Sequence, residues 1–175
     1  VNFHHYTTFY HAIFFGLRSY HNYSKVEAKL KEHGYIKASW TPDGVMACFN
    51  NINDAVHAAQ AIINGLDYFN KNVKAMKRDF TVRCGINSGF VYYDDSVPLE
   101  QYSDRTIDIA GHMQKYASPN TIFIAKQIIK PVKRNLEFVP TERVVDGLEV
   151  CEWSPQNIKQ IKNSWLYFKQ SQFSL

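Results

Sequence analysis

The sequence has only three cysteines and lacks both a CxxC motif and a Cys/His pair at zinc-binding spacing. Cys48, Cys84 and Cys151 are widely separated, and each lies in an apolar run. An odd number of distant cysteines argues against a disulfide framework, and the missing motifs argue against a structural zinc centre. The pattern predicts buried free thiols in a reducing compartment.

Long hydrophobic runs and a strong charge bias are also missing. The longest apolar stretch near the start, 9–17, is too short to span a bilayer and contains His11, and no signal peptide is visible. Lys and Arg number 20 against 16 Asp and Glu, which gives a net charge of only +4. We therefore expect a cytoplasmic protein, or a cytoplasmic domain of a larger one, with no nucleic-acid partner and no membrane contact of its own.

The residues that are present describe a folded domain. The 175 residues are 45% hydrophobic and 15% aromatic, which is enough to bury a substantial core. We predict three divisions: an N-terminal lead over 1–19, a domain over 20–153 and a C-terminal tail over 154–175. The spacing of the apolar residues in the tail predicts a helix there.

Hydrophobic periodicity and turn residues predict the order of the elements. Helices are predicted over 20–33, from Asn51 or Asn53 to about 70, over 104–116 and over 126–132. A hairpin is predicted at 35–49 around the turn 41–44, and a second over 80–93 with its turn at 87–89. A strand at 121–125 and a terminal strand pair ending at Trp153 complete the set. The mixture predicts an α+β fold, with helices on one face of a sheet.

Five segments, taken in order, resemble the class III nucleotidyl cyclase catalytic domain. They are 34–49 (a hairpin whose tip in the family is usually Gly-Asp-Gly), Asn53 to Val56, the stretch 82–89 (similar to R-x-G-I-N-x-G), the helix 104–117 and the closing hairpin 144–153. The resemblance implies a ferredoxin-like βαββαβ core. It also implies a dimer, homomeric or with another cyclase-type domain, that shares two nucleoside triphosphate sites across its interface.

The resemblance assigns the second metal aspartate to Asp43. In active members, two aspartates hold two metal ions, so Mg²⁺ or Mn²⁺ is expected only if this site is intact. Pro42 replaces the family's glycine, and an aspartate at this turn also has a purely structural interpretation. The first metal aspartate would precede the chain or be missing, with 1–3 resembling the inside of its motif.

The other catalytic positions of the family are substituted. Asp108 occupies the asparagine position, His112 the arginine position and Asp146 the lysine position. Asp108 and His112 also have a simpler interpretation as an i,i+4 pair on a helix surface. The base-selecting positions are Ser39 and Gln101, which match neither the adenylate nor the guanylate cyclase pair.

These substitutions favour a degenerate cyclase homology domain rather than an enzyme. Such a domain would act in signal transduction as a dimerising regulatory module, with nucleotide binding left open. The first alternative is a heterodimeric cyclase that makes cAMP or cGMP, in which this chain supplies the metal-binding half. The second is an active cyclase in which Asp108 and His112 act differently from the family residues.

Overall fold

The structure is a computed structural model that describes residues 6–15, 20–74, 77–92, 96–133 and 135–172. It is a seven-stranded sheet with four helices. The strands are β1 (Tyr6–Phe15), β2 (Tyr35–Thr41), β3 (Gly44–Phe49), β4 (Arg83–Tyr92), β5 (Thr121–Ala125), β6 (Val139–Val145) and β7 (Leu148–Trp153). The helices are α1 (Tyr20–Glu32), α2 (Ile52–Asn72), α3 (Arg105–Tyr116) and α4 (Pro155–Gln172). None of the helices, within these ranges, combines the length and hydrophobicity needed to traverse a bilayer.

The first part of the sheet has the predicted ferredoxin-like topology. The strand order is β2-β3-β1-β4-β5-β7-β6. Its first four strands and the helices between them, β1-α1-β2-β3-α2-β4, form a βαββαβ unit in which β1 pairs antiparallel with both β3 and β4. The predicted α+β class and ferredoxin-like core are therefore confirmed.

Strand β1 was not predicted, although it occupies the middle of the sheet. All ten of its residues pair with β4, from Tyr6 opposite Tyr92 to Phe15 opposite Arg83. On its other side, the stretch from Tyr10 to Phe15 pairs with β3. The aromatic lead of the sequence thus supplies the strand that joins the two halves of the ferredoxin-like unit.

The hairpin predicted over 80–93 is wrong, because β4 is one continuous strand. The segment 87–89, predicted as a turn, stays paired with β1. Its glycines make room for a helix instead: a Cβ on Gly85 would lie 2.2 Å from the Ala110 carbonyl oxygen, and one on Gly89 would lie 2.4 Å from Thr106 Oγ1. Close approach of α3, and not a reversal of the chain, explains both glycines.

Helices cover both faces of the sheet, which corrects the prediction of a single covered face. Successive residues of β5 point to opposite sides. Ile122 and Ile124 join the main core with α1 and α2, whereas Phe123 and Ala125 pack with Met113 of α3 in a second core. The exposed side of α3 is therefore presented on the face opposite α1 and α2.

Candidate functional site

Helix α3 carries two of the predicted site residues. Asp104 caps the helix by accepting a 2.7 Å hydrogen bond from the Thr106 amide, which fixes where the helix begins. Met113 is buried against the sheet, whereas Asp108 and His112 are exposed. Because they are four residues apart, Asp108 and His112 share the outward face of the helix.

The third predicted position, Asp146, lies in the turn between β6 and β7. Val145 pairs with Leu148, so Asp146 and Gly147 form a two-residue hairpin turn, and both have positive φ (50° and 80°). This is the type I′ geometry that Asp-Gly favours. The turn gives Asp146 a structural role of its own and projects its carboxylate beside α3.

The structure brings His112 and Asp146 into direct contact. His112 Nδ1 lies 2.6 Å from Asp146 Oδ2, and the two side chains are 52% and 36% exposed. The pair is ionic only when the imidazole is protonated. At this exposure it contributes at most about 1 kcal/mol to stability. The contact matters more for binding of a nucleotide than for stability. The resemblance assigns these two positions to cationic side chains, and here they hold a histidine in contact with a carboxylate.

Arg143, which the sequence analysis did not single out, also joins this hairpin to α3. Its Nη1 donates a 2.7 Å hydrogen bond to the carbonyl oxygen of Tyr116, at the end of the helix. Its guanidinium carbon lies 5.6 Å from the centre of the Phe123 ring. A cation at a helix C-terminus is favourable. Nothing in the local sequence marks this role, since the contact depends on how β6 lies against α3.

Asp43 occupies the tip of the β2–β3 hairpin, where Pro42 and Asp43 form the turn between the paired residues Thr41 and Gly44. Its side chain is exposed, and Thr41 Oγ1 donates a 3.1 Å hydrogen bond to its Oδ1. This position is open to solvent and agrees with either predicted role, a metal ligand or a turn residue.

The strand beside this hairpin bears on the missing metal aspartate. Phe15, at the end of β1, pairs with Gly44, next to Asp43. The Tyr6 end of β1 lies about 30 Å from this point, at roughly 3.3 Å per residue. The sequence has no Asp or Glu before Glu27. The neighbouring strand therefore offers Asp43 no second carboxylate, and the donor set does not fit a two-metal centre.

No group of three or more His, Cys, Asp and Glu side chains is arranged to hold a metal ion in the part of the chain that the structure describes. His4 and His5 lie outside the described residues. The stretch 126–134 carries four basic residues, of which Lys126 pairs with Glu149 at 2.5 Å.

The base-selecting positions belong to segments that lie side by side. Ser39 alternates along β2 with Ala38 and Trp40, which pack on the main core, so Ser39 faces the side of the sheet that α3 covers. Gln101 ends a short 3₁₀ turn, Leu99–Gln101, and is exposed. Lys37 Nζ donates a 2.6 Å hydrogen bond to the Val97 carbonyl oxygen and so ties β2 to the segment before this turn.

Burial raises the pKa of all three thiols. The pKa of Cys48 rises to about 12, and those of Cys84 and Cys151 also lie above their ordinary value, in each case chiefly because the thiolate would lose its hydration. All three are free and buried, as predicted. None has the lowered pKa that a nucleophilic cysteine needs.

No protein-family profile and no curated protein matches the chain. Solved structures do. The guanylate cyclase domain of RhGC from Catenaria anguillulae, solved in complex with GTP, has a TM-score of 0.66 at 19% identity, covering 85% of this chain and 96% of that one. This chain has the class III nucleotidyl cyclase fold.

Two other structures agree with the cyclase fold. The adenylyl cyclase CyaB from P. aeruginosa superposes with a TM-score of 0.69 at 12% identity over 85% of this chain and 95% of its own. The adenylate/guanylate cyclase/hydrolase from Silicibacter pomeroyi gives 0.64 at 16% identity over 85% and 98%. The match thus covers nearly all of each cyclase domain, and the resemblance inferred from five short segments is confirmed at the level of the fold.

Proposed function

We propose that this chain is a catalytically inactive cyclase-fold domain that acts by pairing with a second cyclase-fold domain and so regulates attached or partner modules. The observation that carries the proposal is the contact between His112 and Asp146. The family resemblance assigns these positions to an arginine and a lysine that neutralise a triphosphate. Here a carboxylate occupies one position and binds the residue at the other.

The electrostatics of phosphoryl transfer make this substitution costly. Such reactions depend on positioning and on the neutralisation of charge by metal ions and cationic side chains. Asp108 and Asp146 both place negative charge where the family places donors, and β1 gives Asp43 no partner carboxylate. Losing one transition-state donor typically costs ~10²–10³ in rate, so three substitutions together remove nearly all cyclase activity.

Exposed apolar side chains beside the same contact support the pairing role. Val144 is 63% exposed and Tyr116 is 53% exposed. They lie on neighbouring elements, because Arg143 bonds the Tyr116 carbonyl oxygen. Apolar residues exposed together are typical of protein–protein contact. We place the pairing surface at this edge of the domain, where Tyr116 ends α3 and Val144 lies on the edge strand β6.

Sedimentation equilibrium tests the pairing role. We expect a concentration-dependent dimer that is weakened at least tenfold by Tyr116→Ser combined with Val144→Ser. Tyr68→Ser is the matched control, because Tyr68 is 66% exposed but lies on α2, outside both α3 and β6. A strict monomer at high concentration contradicts a homodimeric form of the proposal, and mixing with a cyclase paralogue then tests the heterodimer.

Activity assays with Mn²⁺ and either ATP or GTP test the loss of catalysis. We expect no cyclic nucleotide from the chain alone or from any pairing with a cyclase paralogue. Product that forms only in a mixture and disappears with Asp43→Asn would instead establish the heterodimeric enzyme. Measurable activity of the chain alone that rises with Asp108→Asn plus His112→Arg would establish the altered active cyclase.

A further inference from the structure

A groove of about 320 Å³ lies between α1 and α2, remote from the His112–Asp146 contact. Its floor is apolar, formed by the buried side chains of Ile62, Leu66 and Phe69 on α2. Cavities of roughly 300–1,000 Å³ hold small molecules, and this one is at the small end of that range.

The groove is open because the residues at its walls are small. Ala28 of α1 and Ala61 of α2 line it, and so does Gly65, where a Cβ would meet no atom within 4 Å. Gly65 does not have positive φ, so neither chain geometry nor close packing requires a glycine there. A glycine inside a helix costs about 1 kcal/mol relative to alanine, and an open groove is the structural feature that accompanies it here.

One cation at the rim has no carboxylate partner. Lys29 pairs with Glu32 at 2.5 Å, and Lys31 pairs with Glu27 at 2.8 Å. Across the described residues no ion pair includes Lys25, whose Nζ lies 5.2 Å from the centre of the Phe69 ring. The groove therefore combines an apolar floor with a single available ammonium group at one edge.

We propose that this groove binds a free, single-chain carboxylic acid. The alkyl chain lies on Ile62, Leu66 and Phe69, and the carboxylate pairs with Lys25. The lining has too few polar groups to satisfy a nucleotide or a sugar, which would lose its hydrogen bonds to water without replacing them. A neutral hydrocarbon would gain nothing from Lys25, whereas an acid uses both features.

Titration calorimetry with dodecanoate below its micelle-forming concentration tests this site. We expect saturable one-to-one binding that is at least fivefold tighter than for dodecanol. Gly65→Leu places a side chain in the groove, where no atom obstructs it, and we expect it to weaken binding at least tenfold. Ala28→Leu, on the opposite wall, should weaken binding by a similar factor. Asn64→Leu is the matched control, because it adds the same side chain next to Gly65 at an exposed position outside the lining.

Lys25→Met separates the contribution of the ligand's carboxylate from that of its alkyl chain. We expect it to weaken dodecanoate about fivefold while leaving dodecanol unchanged, since a partly exposed ion pair contributes on that scale. Lys31→Met, which removes a lysine already paired with Glu27, should leave both affinities unchanged. Equal losses for dodecanoate and dodecanol would overturn the role of Lys25.

Two further outcomes would overturn the groove itself. One is dodecanoate binding that survives both Gly65→Leu and Ala28→Leu in variants with unchanged circular dichroism. The other is co-sedimentation of the wild type and Gly65→Leu alike with phosphatidylglycerol vesicles, which would assign the attraction to an anionic membrane surface. The proposal requires that the protein stay in the supernatant while dodecanoate binds. None of these readouts depends on cyclase activity.

Discussion

Two glycines of β4 allow α3 to lie directly against the sheet. A Cβ on Gly85 would be 2.2 Å from the Ala110 carbonyl oxygen and 2.3 Å from the Gln114 amide nitrogen, so the obstacle is helix backbone, which cannot rotate away. At Gly89 the obstacle is the Thr106 side chain. Asn87 lies between them and donates a 3.2 Å hydrogen bond to the Thr106 carbonyl oxygen.

Gly85→Ala should therefore be severely destabilising. We expect a loss of about 3 kcal/mol or more in the free energy of unfolding, measured by urea denaturation, because overpacking against backbone forces α3 off the sheet. Gly65→Ala is the matched control, since its Cβ meets nothing within 4 Å, and it should raise stability by up to about 1 kcal/mol. Equal effects of the two substitutions would contradict the close approach of α3.

The buried thiols predict a loss of stability in alkaline solution. A thiol whose pKa is raised in the folded protein stays protonated after the unfolded chain has released its proton. The stabilisation is complete below about pH 9 and is lost as the pH rises toward about 12, the folded pKa of Cys48.

Cys48→Ala should flatten this alkaline decline by up to about 1.4 kcal/mol per pH unit, as measured by urea denaturation between pH 8.5 and 10.5. Comparison of variant with wild type cancels the lysine and tyrosine titrations that they share. An unchanged slope, or rapid modification of the folded wild type by a thiol reagent at pH 8, would contradict the burial of these groups.

At the scale of elements, the β6–β7 hairpin and α3 are held together by two contacts. His112 meets Asp146 at one point and Arg143 bonds the Tyr116 carbonyl oxygen at another. Arg143 lies within strand β6, whereas Asp146 lies in the turn that follows it. These two polar contacts hold α3 beside the hairpin. The apolar residues on the inner side of α3 add to this by packing on the sheet.

A double-mutant cycle with His112→Asn and Asp146→Asn measures the first of these contacts. Asparagine tolerates the positive φ at residue 146, so the turn survives and only the charge is lost. We expect a coupling energy of about 0.5–1 kcal/mol at low ionic strength and pH 6, which falls in 1 M salt. Zero coupling at low salt would mean that the two side chains do not interact in solution.

Local sequence patterns were sufficient for most elements but not for β1 and β4. Helix α2 is recognisable from its apolar spacing and the Asn51 cap, which accepts a hydrogen bond from the Asp54 amide. The Asn87-Ser88-Gly89 triplet has the composition of a turn, and only the packing of α3 on Gly89 shows that it belongs to a strand. The predicted site positions Asp108, His112 and Asp146 came from the family resemblance, whereas the contact between His112 and Asp146 depends on tertiary structure.

At the scale of the whole molecule, the sheet depends on a strand that the sequence pattern did not reveal. The stretch 6–15 is aromatic and lacks the clear alternation of a half-buried strand, because α2 and α3 cover the two faces of the sheet at this strand. Each residue of β1 pairs with residues of β3 or β4 that lie at least 29 positions downstream, so the pairing has no local signal.

Proline substitution tests the central position of β1. Ala12 pairs with Ala47 on one side and Ile86 on the other. Proline there removes a backbone donor and fixes φ, and central strands do not tolerate it. We expect Ala12→Pro to abolish cooperative unfolding, measured by circular dichroism and urea denaturation. Glu142→Pro is the control, because it lies on the edge strand β6 within a register shift. It should cost less than about 2 kcal/mol. A folded Ala12→Pro protein would contradict this sheet order and with it the placement of Asp43 beside a strand without carboxylates.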